Sequence, residues 1–180
     1  GEPRWSPGGE RIAFVAKREK DEEAQLWLIA PDGGEARRVT TMPTGVAGIK
    51  WFPDARRIAF ISWVWPEAAG HADLAERMKA QKESKVKAHV VEHGAYRHWD
   101  HWLSDGRVPR LFIVDVDTLR VSRLSLNNNA EEGEADSPVG QGERISISYD
   151  AKWVAFSSAS KKLGGGVVVK NFVTGETRVM

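Results

Sequence analysis

A motif that recurs three times along the chain limits the folds open to it more than any other feature. Residues 5–14 read WSPGGERIAF, residues 51–60 read WFPDARRIAF, and residues 147–156 read ISYDAKWVAF. Each copy predicts the end of one strand, a tight turn built from Pro, Gly or Asp, and a second, apolar strand. Such self-similarity is typical of repeat architectures, in which every copy contributes one supersecondary unit.

The residues around the first copy supply the remaining strands of the same unit. Residues 11–16 and 25–29 are rich in β-forming side chains, and residues 31–34 (PDGG) give a strong turn signal. Residues 35–40 alternate in polarity, as an outer strand does. Four short strands within about 40 residues have the size of one propeller blade. We therefore predict an all-β fold, a partial β-propeller of about three four-stranded blades.

The second unit is interrupted. Its first half ends near Trp63, and its second half begins only at Arg110, so residues 64–109 are predicted to be an insertion within the second blade. We expect a single partial propeller domain over residues 1–180, divided into blade one (1–45), blade two with its insertion (46–126), and an acidic loop with blade three (127–180).

The insertion has secondary-structure signals of its own. Leu74 and Met78 are spaced as on one face of a helix, and charged residues surround them between positions 67 and 84. Residues 85–90 alternate strictly in polarity and predict a short strand. The insertion is therefore expected to contain a short helix followed by extended chain.

Charge and composition argue against several classes of function. The 26 basic and 25 acidic side chains leave a net charge of +1, so no strong field attracts nucleic acid or anionic lipid. No apolar run approaches the roughly 18 residues of a membrane span. The chain has no cysteine, which favours a reducing compartment such as the cytoplasm over the periplasm. We expect neither nucleic acid nor membrane among its partners.

Motifs for catalysis and for cofactor binding are missing. The sequence contains no GxSxG nucleophile elbow, no P-loop and no GxGxxG. Residues 89–93 (HVVEH) match an inverted zincin motif, but they follow a strand pattern, and along a strand the two imidazoles would be about 13 Å apart. His98 and His101 lack a third ligand, and Asp115 with Asp117 favours a turn. We expect no catalytic residue, no metal and no cofactor.

The rarer side chains gather in the insertion. All five histidines lie there, and Trp63, Trp65, Trp99 and Trp102 flank it, whereas core packing explains the tryptophans at repeat positions, such as Trp5. Two interpretations remain open together: these aromatic residues seal the insertion onto the blade, or they line a ligand-facing surface, where Trp and Arg are favoured. The candidate substrate-contact residues are Arg97, His98, Trp99, Asp100 and Trp102.

The first repeat, together with residues 26–34 (LWLIAPDGG), resembles the PD40 propeller repeat shared by TolB-type proteins and prolyl oligopeptidase-family (S9) serine peptidases. The insertion separates the two. Residues 85–87 (KVK), 96–102 (YRHWDHW) and 110–115 (RLFIVD) are similar to S9 peptidases of the acylaminoacyl-peptidase and dipeptidyl-peptidase V type. The third repeat departs from the pattern, because Tyr149-Asp150-Ala151 stands where Ser-Pro-Asp-Gly is usual.

The resemblance implies an N-terminal propeller that stands over a C-terminal α/β-hydrolase domain carrying a Ser-Asp-His triad. In such enzymes the propeller restricts access to the catalytic site and contributes substrate contacts. We therefore expect this chain to be a non-catalytic propeller fragment of a peptidase that cleaves short peptides near their N-terminus. Its expected partners are the peptide substrate, the missing hydrolase domain, the remaining blades and, for the isolated fragment, further copies of itself.

Two alternatives stay open at this point. The first is a TolB-like β-propeller whose role is to bind proteins. The second is a repeat scaffold without a ligand, in which the residues of the insertion serve only stability. The repeat itself fits all three hypotheses, so the insertion carries the preference for a peptidase.

Overall fold

The computed structural model describes residues 3–18, 20–84, 97–98, 101–102, 106–124, 145–158 and 166–180. These residues form three four-stranded antiparallel sheets, a two-stranded hairpin and one α-helix. The predicted partial propeller of about three blades with a helical insertion in the second is therefore confirmed. The acidic segment 127–142 and the strand predicted at residues 85–90 lie outside the described residues.

Each sheet is built from strands in chain order. The first contains β1 (Arg4–Trp5), β2 (Ile12–Ala16), β3 (Gln25–Ala30) and β4 (Gly33–Arg38). The second contains β5 (Ala47–Trp51), β6 (Arg57–Val64), β9 (Val108–Asp115) and β10 (Val121–Arg123). Three further elements lie between β6 and β9 in the chain: the helix α1 (His71–Glu83) and the two strands of a hairpin, β7 (Arg97–His98) and β8 (His101–Trp102). The third contains β11 (Ile145–Ile147), β12 (Trp153–Ser158), β13 (Gly166–Asn171) and β14 (Thr177–Val179).

The repeated motif forms the same turn in all three sheets. Matching backbone bonds close it: the amides of Ser6, Phe52 and Ser148 donate to the carbonyl oxygens of Arg11, Arg57 and Trp153, at 2.8, 2.8 and 3.0 Å. The third turn thus forms in the usual way despite its unusual sequence. A side-chain oxygen supports each turn, because Ser6 Oγ, Asp54 Oδ1 and Ser148 Oγ accept the amides of Arg11, Arg57 and Trp153.

One position of this turn requires a left-handed backbone. Gly9 has φ 74° in the first copy, and the equivalent Ala55 and Ala151 have φ 54° and 56°. A Cβ is unfavourable in this region, by about 1–2 kcal/mol, because it approaches the carbonyl oxygen. The second and third repeats therefore keep the conformation of the first at a cost in strain, which the hydrogen bonds to Asp54 and Asp150 offset.

Two apolar clusters hold the three sheets face to face. The first joins sheets one and two, and the second joins sheets two and three. Strand β6 belongs to both, since Ile58 and Phe60 face the first cluster and Ala59 and Ile61 face the second, all with 0% exposure. Burial on both faces explains the nearly continuous apolar run of this strand. The centre of the molecule is therefore the second sheet.

The prediction that Trp5 packs in the core is wrong. Its side chain is 59% exposed, whereas the equivalent Trp51 is 6% exposed. Trp51 lies between the first two sheets, where its Nε1 donates to the carbonyl oxygen of Arg4 at 3.0 Å. Within the described part of the chain, no preceding sheet covers Trp5 in the same way. Burial of the repeat tryptophan thus depends on a neighbouring sheet and not on the motif itself.

We expect Ala55→Gly to stabilise the protein by about 1 kcal/mol, because glycine adopts the left-handed conformation of this turn without the Cβ penalty. The measurement is the free energy of unfolding in urea. Ala80→Gly is the control, since Ala80 is exposed on α1, where the same change costs about 1 kcal/mol. A loss of stability at Ala55 would contradict the strained-turn interpretation.

Candidate functional site

The insertion leaves and re-enters the second sheet at a single point. β6 and β9 pair along their whole length, with Trp63 opposite Pro109 and Val64 opposite Val108. Directly beyond these pairs, the Arg107 guanidinium lies 5.6 Å from the centroid of the Trp65 ring. Gly106, with φ 75°, approaches the same indole. Trp65 therefore packs at the base of the insertion, as predicted for the tryptophans that seal it onto the blade.

The helix α1 buries the two residues that the sequence pattern indicated. Leu74 and Met78 are 5% and 6% exposed, and Leu74 joins the apolar cluster between the first two sheets. The helix begins after Gly70, whose φ of 156° suits glycine. The predicted helix of the insertion is confirmed, and its apolar face packs on the propeller.

An ionic network fixes the first turn of α1. Asp73 accepts hydrogen bonds from the amide of Ala69 at 3.0 Å and from Nε of Arg77 at 2.8 Å. Arg77 also pairs with Glu67, with Nη1 and Oε1 at 2.9 Å. The hydrogen bond from Arg77 lowers the pKa of Asp73 below its ordinary value of 3.8, and the Ala69 amide acts in the same direction. The chain before the helix is thereby tied to the helix.

A cavity of about 490 Å³ lies beneath the N-terminal half of α1. This volume falls within the range of small-molecule sites. Its walls come from the second sheet, from the segment that leads into α1 and from one residue of the chain that follows β4. They consist of Met42, Val64, Trp65, Pro66, Glu67, Ala68, Ala69, Gly70, His71, Leu74, Phe112, Val121 and Arg123.

The cavity lies at the outer edge of the second sheet. Val121 and Arg123 belong to β10, the strand at the opposite edge from β5, and β5 lies next to the first strands of both neighbouring sheets. No pattern in the sequence indicates this cavity, because four separate stretches of the chain, with both apolar and charged residues, enclose it. It is also distinct from the residues that the sequence singled out as substrate contacts.

The structure brings part of the predicted site together. β7 and β8 pair antiparallel, with Arg97 opposite Trp102 and His98 opposite His101. Arg97 and Trp102 are thus direct cross-strand neighbours at the level of the backbone. Trp99 and Asp100 lie outside the described residues.

Of the candidate metal ligands, some lie outside the described residues and others can be located in the structure. His89 and His93 lie outside the described residues. Asp115 forms the predicted turn: its Oδ1 accepts the amides of Asp117 and Thr118 at 3.1 and 2.8 Å, and the bonds from Thr118 lower its pKa. Within the described ranges, no group of three His, Asp or Glu side chains could hold a metal ion, and no helix is long and apolar enough to cross a bilayer.

Comparison with known proteins gives relatives among the peptidases. No protein-family model matches the chain. It is 30% identical over 157 residues to the uncharacterized peptidase YuxL of Bacillus subtilis, covering 87% of this chain and 21% of the relative. It is 28% identical over 167 residues to dipeptidyl-peptidase 5 of Porphyromonas endodontalis, covering 88% and 22%. The predicted resemblance to the propeller of S9-type peptidases is confirmed. The chain spans about a fifth of the length of these curated relatives.

Solved structures show the same fold. The uncomplexed acylaminoacyl peptidase of Pyrococcus horikoshii superposes with a TM-score of 0.62 at 15% identity, covering 100% of this chain and 24% of that one. A TolB-like protein of Agrobacterium tumefaciens gives a TM-score of 0.54 at 15% identity, covering 97% and 46%. Peptidase and TolB-type propellers thus share the architecture of this chain, and the fold alone does not separate their functions.

We expect the docking of α1 to weaken in acid through Asp73. Its lowered pKa means that it stabilises the folded state above its ordinary value of 3.8, and that this contribution is lost as the pH falls through the lower folded-state value. Hydrogen exchange of the α1 amides, corrected for intrinsic rates, should therefore rise below about pH 4.

The control for this prediction is the pair Asp73→Asn and Glu76→Gln. Asp73→Asn should exchange faster at neutral pH and lose the acid dependence, because the titrating group is gone. Glu76→Gln removes an exposed carboxylate of the same helix and should behave like the wild type. An unchanged acid profile in Asp73→Asn would assign the effect to another group.

Proposed function

We propose that this chain is a non-catalytic propeller segment of an S9-type serine peptidase, where it restricts the access of peptides to a catalytic site outside the chain. Support comes above all from YuxL and dipeptidyl-peptidase 5, two relatives described as peptidases, which match nearly nine tenths of this chain within about a fifth of their own length. The sequence lacks a GxSxG nucleophile motif, which agrees with a catalytic serine elsewhere.

The hairpin of the insertion provides the proposed substrate contacts. The guanidinium group of Arg97 carries a permanent positive charge, and its N–H donors lie in one plane. This arrangement suits a peptide carboxylate or carbonyl oxygen. Its cross-strand neighbour Trp102 is an aromatic residue of the type favoured where peptides bind. Because the insertion projects from a single point of a rigid sheet, such contacts can be presented to a substrate without any change in the blades.

The second candidate function is a protein-binding propeller of the TolB type. The TolB-like structure favours it, since the superposition covers 97% of this chain and nearly half of that protein. The two functions differ in what accompanies the propeller. A peptidase needs a serine nucleophile in the same polypeptide, whereas a binding scaffold does not.

Labelling with a fluorophosphonate separates the two functions. We expect a longer protein that contains this chain to be labelled on a serine, and residues 1–180 expressed alone to remain unlabelled. Peptide amides should likewise be cleaved only by the longer protein. Labelling of residues 1–180 would overturn the non-catalytic assignment, and an unlabelled longer protein that nevertheless binds proteins would favour the scaffold.

We expect Arg97→Ala in the longer protein to lower kcat/KM for a peptide amide by about tenfold or more, as befits the loss of a charged hydrogen bond. Hydrolysis of a small activated ester should be unchanged, because such an ester does not reach the propeller. Trp102→Ala should act in the same direction. Arg120→Ala is the matched control, since Arg120 is exposed at the opposite end of the second sheet. Equal effects on amide and ester would contradict a substrate contact.

A further inference from the structure

Helix α1 belongs to the second blade by sequence, yet its last turn binds the first blade. Lys82 Nζ lies 2.9 Å from Oε2 of Glu22 and 3.6 Å from Oε1 of Glu23. Both glutamates lie in the connection between β2 and β3. The hydrogen bond lowers the pKa of Glu22 and raises that of Lys82, so each group favours the charged form of the other.

The first residue of α1 binds the first blade as well. His71 Nε2 donates to the carbonyl oxygen of Thr41 at 2.8 Å, and Thr41 follows β4. His71 and Lys82 are eleven positions apart, which corresponds to about 16 Å along a helix. The helix is therefore held at both ends by the neighbouring blade.

The two attachment points on the first blade form one hydrogen-bonded unit. Buried Gln25 accepts bonds from Thr40 Oγ1 and from the amide of Met42, both at 2.9 Å, and donates to the Met42 carbonyl oxygen at 2.7 Å. Next to it, Asp21 is buried and pairs with Arg38 of β4 at 3.0 Å. The connection that binds Lys82 and the segment that binds His71 are thus fixed to each other.

The middle of α1 is attached to the second blade. Leu74 packs in the apolar cluster that both sheets share, and Met78 Sδ accepts from Nη1 of Arg107 at 3.8 Å, where the insertion returns to β9. The helix thus contacts the first blade at both ends, and its centre packs on the cluster shared by both blades and on Arg107. Such an arrangement resists a change in the angle between the two sheets.

The attachment is strong enough to order the helix and weak enough to release it. Lys82 is 43% and Glu22 79% exposed, and exposed ion pairs of this kind contribute little. Only two side chains of α1 are buried, and a cavity of about 490 Å³ borders its first turn at His71 and Leu74. Loss of these contacts leaves every sheet bond in place.

We propose that α1 is a releasable clasp between the first two blades, which opens as a unit while the sheets stay folded. The clasp does not depend on the proposed peptidase function. Its opening would remove the ion pairs of the helix with Glu22 and Glu23, and would thereby loosen the connection between β2 and β3 around these two residues. A helix that merely covers the second blade would open without any effect on the first blade.

Hydrogen exchange measured by mass spectrometry distinguishes a clasp between the blades from a helix that only covers the second blade. In Lys82→Glu, a carboxylate replaces the ammonium beside Glu22 and Glu23, and we expect exchange to rise about two- to fivefold both in residues 71–83 and in residues 20–25. β12 and β13 in the third sheet should be unchanged. Glu22→Lys added to Lys82→Glu should restore most of the protection, because the pair is rebuilt with reversed charges.

Lys79→Glu is the matched control, since Lys79 lies on the same helix, is 75% exposed and pairs with Glu83 of that helix at 3.9 Å. It should leave residues 20–25 at the wild-type rate. In about 1 M salt, the wild type should change in the same direction but by less than Lys82→Glu, because screening weakens the attraction without introducing a repulsion. Faster exchange confined to the helix, or no recovery in the reversed pair, would overturn the clasp.

Discussion

Burial of β6 on both faces is the constraint on which the rest of the structure depends. Its even-numbered apolar residues complete the core towards the first sheet, and its odd-numbered ones complete the core towards the third. The strand therefore cannot shift its register without exposing one cluster and overfilling the other. The rings of Phe60 and Phe112 stack with their centroids 5.5 Å apart, and this contact helps to position β9 against β6. The ends of β6 and β9 in turn determine where the insertion starts.

Much of the fold could be predicted because its signals are local. Pro, Gly and Asp define the repeated turn whatever the rest of the chain does, and the spacing of the repeats reveals the insertion. Leu74 and Met78 predict the helix in the same way. The burial of Trp5 could not be predicted, because it depends on a sheet beside the motif and not on the motif. Among the candidate contacts that the structure describes, Arg97 and Trp102 pair across the hairpin, and residue types alone do not indicate such a pairing.

The contacts of α1 with the first blade could not be predicted from the sequence, for a different reason. Lys82 and Glu22 are separated by 60 positions, and charged residues are abundant on both segments. Charge patterns along a sequence report pairs three or four apart on a helix, but they do not indicate which distant partner a lysine meets. The cavity could not be predicted either, since residues from four distant stretches of the chain enclose it. Contacts and cavities that form between distant elements leave the weakest trace in the sequence.

Because β6 and β9 pair up to their ends, the second blade is complete without the residues that lie between these strands in the sequence. Val64 and Val108 face each other across the ladder, so a short hairpin loop could join the two strands directly. The cost of closing a loop grows only slowly with its length, so this site tolerates long additions. The insertion therefore lies at a point where the hydrogen-bonded ladder of the second sheet is already complete. A change in its length or sequence should leave the three sheets in place.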